Sequence, residues 1–228
     1  MTPIATFHSD FPSKFGVPRQ AGLVPELRGC IVFEPPYRDP LALKGLEAFD
    51  YLWMIWSFSQ NPLPGSFTPL VRPPRLGGNE TMGVWATRSS FRPNGLALSS
   101  VKIERIDADT PDGPVIHVLG ADLMDGTPIY DIKPYVTFTD SHPEARSGFV
   151  DTRNKAVLHV EDPNSLLDVL PADKRQAALD VLRQDPRPAY HDDPDRVYGM
   201  PFAGYDIRFR VANLTAEVVE VAEFSSLL

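Results

Sequence analysis

Over the first 140 residues, short apolar runs closed by Gly, Pro, Asp or Asn alternate with polar stretches. The runs at 29–34 (GCIVFE), 51–58 (YLWMIWSF), 82–88 (MGVWATR), 100–106 (SVKIERI), 115–120 (VIHVLG) and 128–136 (PIYDIKPYV) are rich in β-branched and aromatic residues. That pattern predicts strands separated by turns. The 51–58 run is apolar on both faces, which suits a strand flanked on both sides, whereas 100–106 reads as half-buried. A short helix is expected after Asp39, with Pro40 in its first turn. Beyond residue 140 the pattern shifts. A polar stretch reads as a linker, and 172–184 (ADKRQAALDVLRQ) carries Ala178, Val181 and Leu182 on one helical face. In 205–211 (YDIRFRV) apolar residues alternate with charged ones, and the apolar stretch after Asn213 supplies a hairpin partner. Many strands and few helices predict a mainly β chain: a barrel or sandwich over 1–142, followed by a small α+β unit over 143–228.

Composition sharpens this picture. The 24 prolines in 228 residues favour loops and interrupted strands over a helical bundle. The single cysteine, Cys30, rules out a disulfide within the chain and a four-cysteine metal site, and it suits a reducing compartment. No signal-peptide pattern opens the chain, and the run from Tyr51 to Trp56 is too short to cross a bilayer, so a cytoplasmic location is expected. A formal net charge of −8 argues against broad nonspecific nucleic-acid binding. Against that background 71–95 stands out, with Arg72, Arg75, Arg88 and Arg92 set against Glu80 alone.

Local motifs name no reaction. There is no glycine-rich dinucleotide fingerprint, phosphate loop or serine-nucleophile elbow. The five histidines lack ligand spacing, and HDDPD at 191–195 reads as a solvated turn rather than a metal site. DLMDGTP at 122–128 reads locally as an Asp-Gly turn between two strands.

Taken together and in order, several segments resemble the bacterial tRNA N6-threonylcarbamoyladenosine methyltransferases, whose catalytic part is called a TsaA-like domain. They are KFGVPRQAGL (14–23), KGLEAFDYLW (44–53), VRPPRLGGN (71–79), MGVWATRSSFRPN (82–94), LMDGTPIYDIKPY (123–135), QDPRPAY (184–190) and YDIRFRV (205–211). The resemblance implies a single-sheeted β-barrel that binds S-adenosylmethionine and works as a homodimer, with no metal. It implies methylation of N6 of adenosine 37 in a tRNA anticodon stem-loop already bearing threonylcarbamoyl. Carried over by motif, the donor site falls on Pro18, Arg19, Gln20, Ser59, Gln60, Arg88, Leu98, Asp122, Leu123, Met124 and Asp125. Arg72, Arg75, Arg92, Arg208 and Arg210 are expected at RNA phosphates or at the threonyl carboxylate. Asp131 and Tyr190 are candidates for taking the N6 proton, and the catalytic base is left unassigned. Two other readings stay open: a methyltransferase acting on a small metabolite, and a non-catalytic RNA- or nucleotide-binding module.

Overall fold

The computed structural model describes residues 1–60, 66–73, 80–151, 157–188, 191 and 193–224. Six antiparallel strands close a barrel: β1 (Ala5–Ser9), β2 (Arg28–Phe33), β3 (Tyr51–Ser57), β6 (Leu96–Asp107), β7 (Val115–Leu119) and β8 (Thr127–Pro134). Around the barrel their order is β1-β2-β7-β6-β3-β8, and β1 seals the ring against β8 through Ala5↔Ile129 and Phe7↔Thr127. Closure leaves the barrel no free sheet edge. Alternate residues of each strand fill the interior; Leu52, Met54 and Trp56 of β3 meet Phe7, Ile31, Ile116, Val118 and Ile129 there.

β3 lies between β6 and β8, and its outward residues are only partly covered, with Tyr51 exposed. Trp53 packs its ring against Tyr135 and donates through Nε1 to Asp140 at 2.8 Å. Asp140 ends α1 (Thr137–Asp140) and also accepts from the Val136 backbone N–H. The helix expected after Asp39 is a 3-10 turn, Pro40–Leu43, and the Asp39 carboxylate accepts from the Leu41 N–H.

Two expectations need correction. β6 begins at Leu96 rather than at 100, because its extra residues pair with the end of β3 (Ile55↔Leu98, Ser57↔Leu96). The 82–88 run is not one strand. Only β5 (Met82–Gly83) pairs, with β4 (Leu70–Val71), and the chain then turns through a 3-10 segment at Val84–Ala86. Polar groups hold that turn: the Thr87 hydroxyl and N–H both donate to the Val84 carbonyl, as does the Arg92 guanidinium.

The rear unit is a four-stranded sheet, β10 (Tyr198–Phe202), β11 (Tyr205–Ala212), β12 (Thr215–Glu223) and β9 (His159–Glu161), backed by α2 (Ala172–Arg183). β11 buries Ile207, Phe209 and Val211 and exposes Arg208 and Arg210, the expected alternation, and β12 is its hairpin partner. β10 went unread because Gly199 and Pro201 break its pattern; as an edge strand it tolerates the proline.

The segment between β1 and β2 joins the two halves. Phe11, Val24 and Leu27 are buried in the same core as Phe202, Phe209 and Leu182, with Phe11 and Phe202 ring centroids 5.1 Å apart. Lys174 Nζ lies 2.5 Å from Asp10, and Arg28 bridges Glu104 of the barrel to Asp173 of α2. Gly16 sits where this segment presses on β10: at φ +92° it takes a left-handed conformation, and a Cβ there would lie 2.8 Å from Met200.

Candidate active site

A cleft of about 650 Å3 opens at one end of the barrel, where β3 finishes and β6 begins. Three loops complete it: 17–20 before β2, 87–92 before β6, and 122–127 before β8. Its apolar wall is Ile55, Trp56, Phe58, Leu96, Leu98 and Met124, and its charged groups are Lys14, Arg19, Arg88, Arg92 and Asp122. Four cations face one carboxylate in a chain whose overall balance is acidic.

Asp122 is the most confined of these charged groups. Ser99 donates to its Oδ1 at 2.5 Å, and Trp56 Nε1 in turn donates to the Ser99 hydroxyl at 3.0 Å. Burial raises the Asp122 carboxyl above the ordinary carboxylate value. The Ser99 hydroxyl, the N–H groups of Asp122 and Ala21, and the Arg88 charge pull the other way without overcoming that effect. The Gly22 N–H donates to the Gly120 carbonyl at 2.8 Å and ties the segment after the 17–20 loop to the one that leads into Asp122.

Each arginine of the cleft has a different anchor. Arg88 donates to the Gln20 side-chain oxygen, and Gln20 donates to the Arg19 carbonyl, so the two loops are cross-linked. Arg19 reaches across to the rear unit and donates to the carbonyls of Asp185 (3.3 Å) and Arg187 (3.2 Å). Arg187 is itself forked onto the Asp185 carboxylate at 2.8 and 2.9 Å. Arg92 donates to the carbonyls of Val84 and Thr87. None of these hydrogen-bond partners of Arg19, Arg88 and Arg92 is a carboxylate, while the Arg88 charge acts on the Asp122 carboxylate.

Of the residues expected at the donor site, Pro18, Arg19, Gln20, Ser59, Gln60, Arg88, Leu98, Asp122 and Met124 line this one cleft. Leu123 points instead into the barrel core, and Asp125 turns outward to His8 Nδ1 at 3.0 Å and the Ser9 N–H. Asp131 pairs with Lys133 at 3.0 Å and is not among the cleft-lining residues. Among the arginines expected at RNA, Arg92 lines the cleft and Arg72 is exposed. Arg208 is paired with Asp206 and Glu220, and Arg210 with Glu217, on the outer face of the rear sheet. Arg75 and Tyr190 lie outside the described residues. Sequence reasoning missed Lys14, Ile55, Trp56 and the Ser99 support. Trp56 lies in an apolar run that reads as plain core, and nothing local marks Ser99 as the partner of an aspartate 23 residues on.

A closed antiparallel barrel with a cationic, partly apolar end cleft and an appended α+β unit defines a class distinct from the doubly wound nucleotide-binding enzymes. Family comparison gives the class its name. Residues 6–141 match the tRNA-methyltransferase O N-terminal domain and residues 165–224 the TrmO C-terminal domain. The chain belongs to the TrmO family. It is 38% identical over 223 residues to the tRNA (adenine(37)-N6)-methyltransferase of Escherichia coli (strain K12), covering 94% of each chain. A Pseudomonas aeruginosa protein, named as an S-adenosylmethionine-dependent methyltransferase, is 38% identical over 92% of this chain and 91% of its own. The crystal structure of TrmO from Pseudomonas aeruginosa superposes with a TM-score of 0.77 at 30% identity, covering 98% of this chain and 96% of that one.

Proposed function

We propose that this chain transfers a methyl group from S-adenosylmethionine to N6 of adenosine 37 in a tRNA whose adenosine already bears threonylcarbamoyl. The observation that carries the reading is the cleft: four cations, one confined carboxylate and an apolar wall, built by the loops that hold the family's motifs. The donor presents an ammonium, a carboxylate and an apolar purine, and the cleft offers a group for each. Asp122 would take the ammonium, Arg88 or Arg19 the carboxylate, and Leu98 with Met124 and Ile55 the purine faces. Leu123 and Asp125 would contribute by holding the turn that carries Asp122 and Met124, since Leu123 is buried in the barrel core and Asp125 N–H is fixed to the Phe11 carbonyl and Gly126 N–H to that of Phe7.

When bound, the donor supplies a methyl group already activated by its sulfonium. The protein's part is then alignment, since a displacement of this kind gains most from holding the two centres in line. The cross-link from Arg88 through Gln20 to the Arg19 carbonyl fixes two walls of the cleft relative to each other. The remaining cations, Lys14 and Arg92, would face the acceptor's own carboxylate and phosphates. Arg72 and Arg75 would extend that contact along the anticodon stem-loop. Arg208 and Arg210 would join it by exchanging their acids for phosphate, since solvent screens exposed pairs of this kind. We place the protein in the cytoplasm, where tRNA is modified, and expect a homodimer. A sedimentation measurement showing only single chains would count against the dimer.

The direct test uses labelled donor with tRNA from cells that make threonylcarbamoyladenosine and from cells that do not. Label confined to adenosine 37 of the modified tRNA is the expected result. Donor binding without label on either tRNA would overturn the reading.

A further inference from the structure

Beside the cleft, two aromatic rings stand exposed on a small ribbon. Phe67 and Trp85 stack with centroids 5.7 Å apart and planes 20° from parallel, yet they are 55% and 66% exposed. A surface stack of this kind is costly to leave in water unless something covers it. The ribbon explains why the rings meet. The β4–β5 pairing and the bond from Val84 N–H to the Pro69 carbonyl bring the two segments alongside each other. Arg92 links the stack to the cleft. Its guanidinium carbon lies 5.2 Å from the centre of the Trp85 ring, and the same side chain lines the cleft wall.

We propose that Phe67 and Trp85 form a stacking platform for an unpaired nucleobase of the RNA, next to the one presented to the cleft. The inference rests on the methyl-transfer reading and adds to it the group that grips a neighbouring base. Three observations favour a base over another occupant. The rings are flat, stacked and open, which is how proteins hold splayed-out bases. A guanidinium over the indole supplies a cation beside the stack, where the phosphate attached to a stacked base would run. The platform is continuous with a cleft of four cations, complementary to a polyanion. A second copy of this chain is the competing occupant, and sedimentation separates it from a base.

The test measures the affinity of labelled tRNA for the full-length wild type and for Trp85→Ala, Trp85→Phe and Phe67→Ala, with donor affinity and sedimentation on the same samples. Trp85→Ala should weaken tRNA binding about ten- to a hundredfold. Trp85→Phe should stay within about threefold of wild type, and Phe67→Ala should fall between. Donor affinity should hold in all three, which also reports that the cleft is folded. The salt dependence of tRNA binding should keep its slope in Trp85→Ala, because a stacking contact releases no counterions, whereas Arg72→Ala should lower it by about one phosphate contact. Wild-type affinity in Trp85→Ala overturns the platform alone. A shift of Trp85→Ala to a smaller sedimenting species overturns it in favour of pairing between copies. Failure of the wild type to bind tRNA at all overturns the methyl-transfer reading together with the platform.

Discussion

Asp122 gains little from its position except through what it can bind. A carboxylate withdrawn from water favours its proton, and its three internal donors only partly offset that. If it receives the donor's ammonium, it must ionise first, so donor affinity should rise as pH increases through its raised pKa and then level off. Calorimetric titration across that range checks this, and Asp122→Asn should flatten the profile and weaken the donor about tenfold or more. Stability takes the opposite sign. The folded state holds the Asp122 proton at pH values where the unfolded chain has released it. Its contribution is therefore full below the ordinary carboxylate range and is lost as pH rises through the raised value. Asp140 behaves as the mirror case. The Val136 N–H and then the Trp53 indole N–H lower its pKa, so its contribution is present above the ordinary value and lost as pH falls through the lowered one. Thermal midpoints measured under acid conditions should drop less in Asp140→Asn than in the wild type. The motif containing Asp122 was legible in the sequence, yet its environment was not. Ser99 and Trp56 come to it by strand register, and register depends on pairings that no local window contains.

Among the elements, the 10–28 segment does the most with the least regular structure. One end donates and accepts along the barrel floor, the middle seats Gly16 on Met200, and Arg19 is held by two carbonyls just past α2. Removing the fork that shapes those carbonyls should be felt in the cleft. Arg187→Ala is expected to weaken donor affinity severalfold while leaving the far-ultraviolet circular dichroism unchanged, a comparison that separates positioning from unfolding. The strands of the barrel were largely readable, because a half-buried strand must alternate and a turn must use Gly, Pro, Asn or Asp. The 82–88 run was misread for a definite reason. Its β-branched and aromatic residues fit a strand, but Thr87 and Arg92 capture the Val84 carbonyl and bend the chain. β9 escaped notice because three residues pairing in parallel with a distant strand leave no periodic trace.

Among the described residues, the buried apolar side chains form two clusters that do not follow the chain's order. Phe11, Val24 and Leu27 precede most of the barrel, yet they pack with α2 and the rear sheet. We propose a division near residue 142, with the early segment belonging physically to both sides of it. That arrangement should couple the halves. Phe202→Ala would leave a cavity against Phe11 and should cost about 3–5 kcal/mol. In calorimetry it should lower one shared transition rather than split off a second, whereas two resolved transitions would show that the halves melt independently.

The same interlocking has a consequence for the protein's birth on the ribosome. β1 emerges before the other strands of the barrel but finds its closing partner only at Ala5↔Ile129, on the far side of four intervening barrel strands. Arg19 waits longer still, for carbonyls at 185 and 187. Contacts so distant in sequence form slowly and late. The nascent chain therefore carries no finished cleft until synthesis has passed residue 187, and donor and tRNA meet a competent site only after that.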